Sequence, residues 1–331
     1  MENAVRVAVV GVGGFGQNHL RVLREIPNAR LVGLLDHDPA RASEMATKFE
    51  CTAFESLESL AASADAAVVA VPTVSHTQIA STLMDNGLDV LVEKPIAASV
   101  AEAEALTEQA AKLSRILQVG HLERFNPAVI ALRSEITLPL FFEIHRMSLF
   151  TPRSLDVDVV LDLMIHDIDI VLSAVGAVPE EIRASGIQIL SDKVDIANVR
   201  MAFPGGCVAN LTASRVSTDK VRKLRLFQPH QYFSVDYGKR EGVVFEVDRN
   251  DQRIGFRQLN VQSEEPLRLE LEDFVNCVRE RRQPLVGGEA ACGALRVAQE
   301  ILDKIREHGQ LVGQSVRAFE TRDARHPEWS A

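Results

Sequence analysis

The chain has 331 residues, 46% apolar and 25% charged, and its 36 basic and 46 acidic side chains leave a formal net charge of −10. At roughly 100–200 residues per domain this length predicts two domains, and the composition excludes disordered, collagen-like and disulfide mini-protein classes. The acidic surplus removes any general attraction to phosphate backbones or anionic membranes, so neither nucleic acid nor membrane is expected as a partner.

The elements then follow in chain order. Val5–Val10 is an apolar run without alternation, the pattern of a strand covered on both faces. Gln17–Ile26 sets Leu20, Leu23 and Ile26 at helical spacing and stops at Pro27. Leu31–Leu35 is the next strand, followed by the helix Asp38–Phe49 with Asp38 as N-cap and Pro39 at its first position. Strand Ala66–Val71, helix Ser75–Asn86 before Gly87, strand Val90–Val92, helix Ser99–Ser114 and strand Ile116–Val119 continue the alternation. Such βα order predicts a doubly wound parallel sheet, a Rossmann domain over residues 1–122.

After Gly120 the rhythm changes. Asn126-Pro127 opens one more helix, Leu140–Leu149 reads as a long strand, and Asp158–Val175 reads as a single helix with the stripe Leu161, Ile165, Ile168 and Leu172. From Glu181 to Gln262 nearly all is strand, including Val194–Phe203 and Cys207–Val216 joined at Pro204-Gly205-Gly206. Helices Leu267–Arg281 and Glu289–His308 close the pattern, with Gly309 as a stop. The expected second domain, residues 123–320, is α+β on a large open-faced, mostly antiparallel sheet, with a loosely held tail at 321–331. Too few helices follow to cover both faces of that sheet, which predicts burial against another subunit and hence a homo-oligomer, dimer or tetramer.

The N-terminus shows no secretory pattern and no apolar run approaches the ~18–20 residues of a membrane span, so a cytoplasmic location is expected. Cys51, Cys207, Cys277 and Cys292 have no metal-binding spacing and read as thiols of a reducing compartment.

Gly11-Val12-Gly13-Gly14-Phe15-Gly16 fits G-x-G-x-x-G directly between the first strand and first helix. Gly11 permits the tight turn, Gly13 the approach of a pyrophosphate to the backbone, and Gly16 close helix–strand packing, with the helix N-terminus facing the phosphates. Asp36 ends the second strand, 20 residues after Gly16, where a carboxylate accepts from the adenosine ribose hydroxyls and repels a 2′-phosphate. NAD is therefore the expected cofactor. Arg41 is the counter-argument, either swinging toward a phosphate or lying as a solvated helix residue. At the end of the fourth strand Glu93-Lys94-Pro95 presents Lys94 to the ligand crevice, with Glu93 tethering the strand end and a Lys-Pro bond open to the cis form.

Asp162 and His166 stand at i and i+4 on the Asp158–Val175 helix, on one face, and Asp169 continues it at i+7. A metal site would need a third ligand, and none is expected.

With Gly11–Gly16, Glu93-Lys94-Pro95 and Asp162-x-x-x-His166 in this order and separation, the sequence resembles the Gfo/Idh/MocA family of oxidoreductases over almost its whole length. The resemblance implies a Rossmann domain, a second-domain sheet used in oligomer contacts, and oxidation or reduction of a CH–OH group on a sugar, cyclitol or related compound. It carries over Lys94, Asp162 and His166 as the catalytic group. The candidate cofactor contacts are Gly11, Gly13, Gly14, Phe15, Gly16, Asp36, Pro72, Thr73, His76, Glu93 and Lys94. Candidate substrate contacts are Lys94, Arg124, Asn126, Asp162 and His166. In the Arg-Phe-Asn-Pro stretch Arg124 is placed to meet cofactor or an anionic substrate, while Asn126 either lines the site or caps its helix.

Oxidation requires a base for the hydroxyl proton. His166 suits that near neutral pH, with Lys94 hydrogen-bonding the same hydroxyl, or the two exchange roles. Asp162 orients substrate hydroxyls. Gly120–Pro127 and Leu161–Ile170 are similar to those of the family's nucleotide-sugar members, which implies oxidation at the 3-hydroxyl of UDP-N-acetylglucosamine to a 3-keto sugar for amination in lipid A or related glycan synthesis. An inositol or free-sugar dehydrogenase is the alternative, and a non-catalytic NAD-bound sensor the third reading. Arg153, Arg215, Lys220, Arg222 and Lys223 are either partners for a diphosphate or solvated strand-edge residues.

Overall fold

The computed structural model describes residues 4–150, 157–190, 192–248 and 253–323. They form two compact units, Met1–Ser134 with Asn260–Arg296, and Glu135–Leu259 with Val297–Ala331.

The first unit runs β1 (Val5–Val10), α1 (Gly14–Leu23), β2 (Ala29–Leu35), α2 (Pro39–Phe49), β3 (Thr52–Ala53), α3 (Leu57–Ala61), β4 (Ala66–Val69), α4 (His76–Asp85), β5 (Asp89–Glu93), α5 (Val100–Leu113), β6 (Leu117–Gly120) and α6 (Pro127–Arg133). Its strands pair in parallel in the order β3-β2-β1-β4-β5-β6. The chain crosses over after β3, so the ends of β1 and β4 flank the switch point where an open sheet holds its ligand. Asp38 caps α2 as expected, accepting from Ala40 and Arg41, and at the start of α5 Ser99 and Glu102 form a reciprocal capping box.

In the second unit come β7 (Phe141–Leu149), a π-helical turn at Val160–Met164 running into α7 (Ile165–Val175), then β8 (Glu181–Ile187), β9 (Ile196–Ala202), β10 (Val208–Ser217), β11 (Val221–Gln228), β12 (Gln231–Asp236), β13 (Glu241–Val247) and β14 (Ile254–Gln258). The sheet order is β14-β13-β12-β11-β7-β10-β9-β8, antiparallel except for β10 against β7. Alternate residues Phe142, Ile144, Leu211, Leu224, Leu226 and Phe233 are buried on one face. The opposite face carries a cross-strand aromatic row, Phe141, Phe227, Tyr232, Phe245 and Phe256, whose neighbouring rings lie 4.6 to 6.4 Å apart. Phe256 is 76% exposed.

Three expectations change. The domain division is not a simple cut at residue 122: α8 (Pro266–Glu280) returns to the first unit, where Leu267, Leu271, Phe274 and Val275 join Val5, Val7, Leu20 and Leu23 in one core. The helix read as Asp158–Val175 opens instead with the π-helical turn, whose wider winding buries Val160 and Met164 and leaves Leu161 of the expected stripe half-buried. Finally α9 (Gly288–Asp323) passes through Gly309, so neither a stop there nor a tail from 321 is seen, and residues 324–331 lie outside the described residues. One interior glycine costs a helix about 1 kcal/mol and does not by itself end one.

Candidate active site

The glycine turn is built by close approach. Gly11 has φ +85°, and a Cβ there would lie 2.5 Å from the Ala70 carbonyl oxygen. A Cβ at Gly16 would fall 1.9 Å from the Gly11 carbonyl oxygen, which lets α1 sit directly on the end of β1. Gly13 and Gly14 differ: a Cβ on either meets nothing within 4 Å. Their backbone therefore faces open space at the N-terminus of α1, where no side chain caps the helix.

Beside this turn lies a cavity of about 780 Å³ whose lining includes Gly11, Gly13, Asp36, Arg41, Val71 and Pro72. Asp36 ties the turn to β2, accepting from the Val12 N–H at 2.8 Å and the Asp38 N–H at 3.0 Å, and Arg41 donates to it at 2.7 Å. Burial pushes the Asp36 carboxyl up, but the Arg41 hydrogen bond, the two backbone N–H groups and the Arg41 charge outweigh it and hold it at about 2. Phe15 is 43% exposed and meets the buried His19 ring edge-on at 5.3 Å.

Two histidines order the strand ends. His76 is buried with Nε2 at 2.9 Å from the Val71 carbonyl and Nδ1 at 2.8 Å from that of Pro95. It thereby joins the loop holding Pro72 and Thr73 to the Lys94-Pro95 turn, which is cis. His19 donates from Nε2 to Glu93 at 2.8 Å, and Glu93 also accepts the Lys94 N–H at 3.3 Å. Gly120 makes room for that carboxylate, since a Cβ there would lie 2.8 Å from Oε2. Behind it, Glu270 of α8 is wholly buried, and neither of its carboxyl oxygens has a hydrogen-bond partner among the described residues. Burial, then the charges of Glu93 and Asp273, push this carboxyl well above the usual range.

In the second unit Asp162 stands in the π-helical turn and His166 in the first turn of α7, both half-buried. The adjacent Asp167 is buried and takes two hydrogen bonds from Arg146 of β7 and one from the Tyr237 hydroxyl. Arg215 of β10 holds the entry to the same segment, donating to Asp195 at 2.8 Å and to the Val157 carbonyl at 2.6 Å.

Two family models match the chain, an oxidoreductase family with an NAD-binding Rossmann fold over residues 5–121 and the GFO/IDH/MocA C-terminal domain over residues 132–229. The chain belongs to the Gfo/Idh/MocA oxidoreductase family. It is 35% identical to a UDP-N-acetylglucosamine 3-dehydrogenase of Acidithiobacillus ferrooxidans over 90% of this chain and 96% of that protein. The solved structure of a protein of that name and organism superimposes with TM-score 0.87 at 34% identity, covering 91% of this chain and 98% of the other. A scyllo-inositol 2-dehydrogenase (NAD(+)) of Bacillus subtilis is 27% identical over 86% of this chain and 90% of its own.

The first domain of this Gfo/Idh/MocA chain is an NAD-binding Rossmann domain, and the residues present fit NAD. The backbone at Gly13 and Gly14 is open enough that it would hold a pyrophosphate, and Asp36, which lines the same cavity, would be the residue to hold the ribose. Of the cofactor candidates, Gly11, Gly13, Asp36 and Pro72 line that cavity, Gly14, Phe15 and Gly16 complete the turn, and Thr73 begins the next one. His76 ties Val71, which lines the cavity, to Pro95, and Glu93 ties the end of β5 to His19 of α1. Lys94 belongs to the first unit, Asp162 and His166 to the second. Arg124 and Asn126 are buried, and Asn126 is a helix cap, its Oδ1 accepting the Ala128 N–H at 3.1 Å. Among the basic residues proposed for a diphosphate, Arg215 is corrected to a buried structural cation, and Arg153 lies outside the described residues. Lys220 and Lys223 are exposed and Arg222 half-buried.

Sequence reasoning missed His19, Glu270 and the Arg146–Asp167–Tyr237 cluster. Only His19 carried a local signal, standing three residues after Gly16 and so one turn along the same helix.

Proposed function

We propose that this protein oxidises the 3-hydroxyl of UDP-N-acetylglucosamine with NAD in the cytoplasm, giving a 3-keto sugar for amination in lipid A or related glycan synthesis. The observation that carries this is the likeness to a UDP-N-acetylglucosamine 3-dehydrogenase along nearly the full length of both chains. Bound NAD supplies the hydride acceptor. His166 takes the hydroxyl proton, Lys94 hydrogen-bonds the same oxygen and stabilises negative charge developing on it, and Asp162 orients the neighbouring hydroxyls. Arg124 contacts the cofactor or the substrate's diphosphate. Support for these roles comes from residue type and place, with Lys94 at the end of a Rossmann strand and Asp162 and His166 together at a π-to-α junction, a feature frequent at functional sites.

The test is purified protein with NAD and, separately, UDP-N-acetylglucosamine, other UDP-sugars, myo-inositol and glucose, following NADH absorbance. Turnover confined to UDP-N-acetylglucosamine with a 3-keto product is expected. Preference for myo-inositol would replace this reading with an inositol dehydrogenase, which the likeness to the Bacillus subtilis protein favours as second choice. No turnover at all would leave an NAD-bound sensor.

The same proposal includes a homo-oligomer, dimer or tetramer, formed through the aromatic-bearing face of the eight-stranded sheet. Five aromatic side chains in one row, ending at an exposed Phe256, make a surface that a monomer would leave in water. Light scattering on F245D should show a smaller species than wild type, and a wild-type monomer would contradict the proposal.

A further inference from the structure

The cofactor cavity carries a cation, Arg41, directly on the carboxylate that is expected to hold the ribose. An ionised carboxylate offers about four acceptor positions. At Asp36, Oδ1 already receives the Asp38 N–H at 3.0 Å and Arg41 Nη2 at 2.7 Å, and Oδ2 receives the Val12 N–H at 2.8 Å. A ribose diol bridging both oxygens must therefore displace Arg41 from Oδ1 or use Oδ2 alone. Electrostatically, Asp36 paired with Arg41 is close to neutral. The charge that would turn away a 2′-phosphate is thus largely cancelled before any cofactor enters.

Arg41 also has capacity left. Its Nε is buried without a hydrogen-bond partner, its side chain is 33% exposed, and it lines the cavity beside Asp36. His37, 87% exposed, stands on the same loop as a second donor. A guanidinium presents five N–H groups in a planar fork matched to phosphate oxygens, and Arg41 shares the cavity lining with the carboxylate it would leave to meet one.

We propose that Arg41 is a cofactor-specificity residue: it holds Asp36 when NAD is bound and turns to the 2′-phosphate when NADP is bound, so that the site takes both. This concerns the cofactor cavity of the first unit and does not depend on which sugar is oxidised.

Calorimetric titration of cofactor-free wild type, R41A and R41Q with NAD and with NADP tests it. Wild type is expected to bind both. In R41A and R41Q the ratio of the NADP to the NAD dissociation constant should rise about tenfold or more, by loss of NADP affinity. Because R41Q keeps an amide donor toward Asp36, it decides the matter if R41A fails to fold. Replacing the carboxylate in D36S frees Arg41 and should turn the preference toward NADP, a gain lost in D36S/R41Q. An unchanged ratio in R41Q, or wild type that shows no NADP binding at millimolar concentration, overturns the proposal.

Discussion

Arg146 and Asp167 meet through two hydrogen bonds, Nε to Oδ2 at 2.8 Å and Nη2 to Oδ1 at 2.7 Å, with their side chains 2% and 1% exposed. The Tyr237 hydroxyl adds a third bond to Asp167 at 2.8 Å, and its ring lies 5.0 Å from the Arg146 guanidinium. This cluster pins the helix that carries His166 to β7 and to the residue following β12. Removing one member of a buried pair strands the other charge, so D167N is expected to cost about 3–5 kcal/mol of stability, measured by denaturant unfolding. Y237F, which deletes one bond to a charged group, should cost about 1.5–3 kcal/mol. A loss below about 1 kcal/mol for D167N would show that the pair does not hold the helix.

Glu270 makes a prediction about pH. Its carboxyl is raised in the folded protein, by burial first and then by Glu93 and Asp273. The unfolded chain ionises it near pH ~4.3, so its stability contribution is fully present below that pH and is lost as pH rises toward the folded value. E270Q has no such proton to release. Its melting temperature relative to wild type should therefore climb as pH is raised from 4, and level off once wild-type Glu270 ionises in place. A difference that stays constant from pH 5 to 9 would contradict a protonated Glu270.

The glycines separate folding from cofactor binding. G16V drives side-chain atoms into the Gly11 carbonyl and is expected to destabilise the first unit, lowering the melting temperature. G13V has open space and should fold normally while losing NAD affinity by about tenfold or more, since the pyrophosphate needs that space. Calorimetry showing wild-type NAD binding by G13V would remove the pyrophosphate from this turn.

For the chemistry, H166A and K94A are each expected to lower turnover by about 10²–10⁴ while NAD affinity changes little. Steady-state kinetics together with cofactor titration distinguish this from a binding defect. Turnover like that of wild type in both variants would sink the assignment.

Much of the first unit was legible because its signals are local. Strand–glycine turn–helix, Asp36 at the end of β2, the Asp38 and Asn126 caps, and Glu93-Lys94-Pro95 at the end of β5 are each set by a few consecutive residues whose backbone needs are specific. The runs Val194–Phe203 and Cys207–Val216, joined at Pro204-Gly205-Gly206, likewise correspond within two residues to β9 and β10 and their turn.

What sequence alone determined, then, is the βα alternation of the first unit apart from β3 and α3, the strand-rich run of the second, the glycine turn with its acidic partner and the residue types available for chemistry, because period, capping and turn geometry act within a few residues. Tertiary structure decided what each polar side chain is for. Asp167 and Arg146 are separated by 21 residues, Asp167 and Tyr237 by 70, and His19 and Glu93 by 74. No local pattern links such pairs, and the fold joins them because a buried charge or ring nitrogen must find a partner once water is excluded. The same long-range packing drew α8 back into the first unit's core and turned Arg215 into a buried anchor.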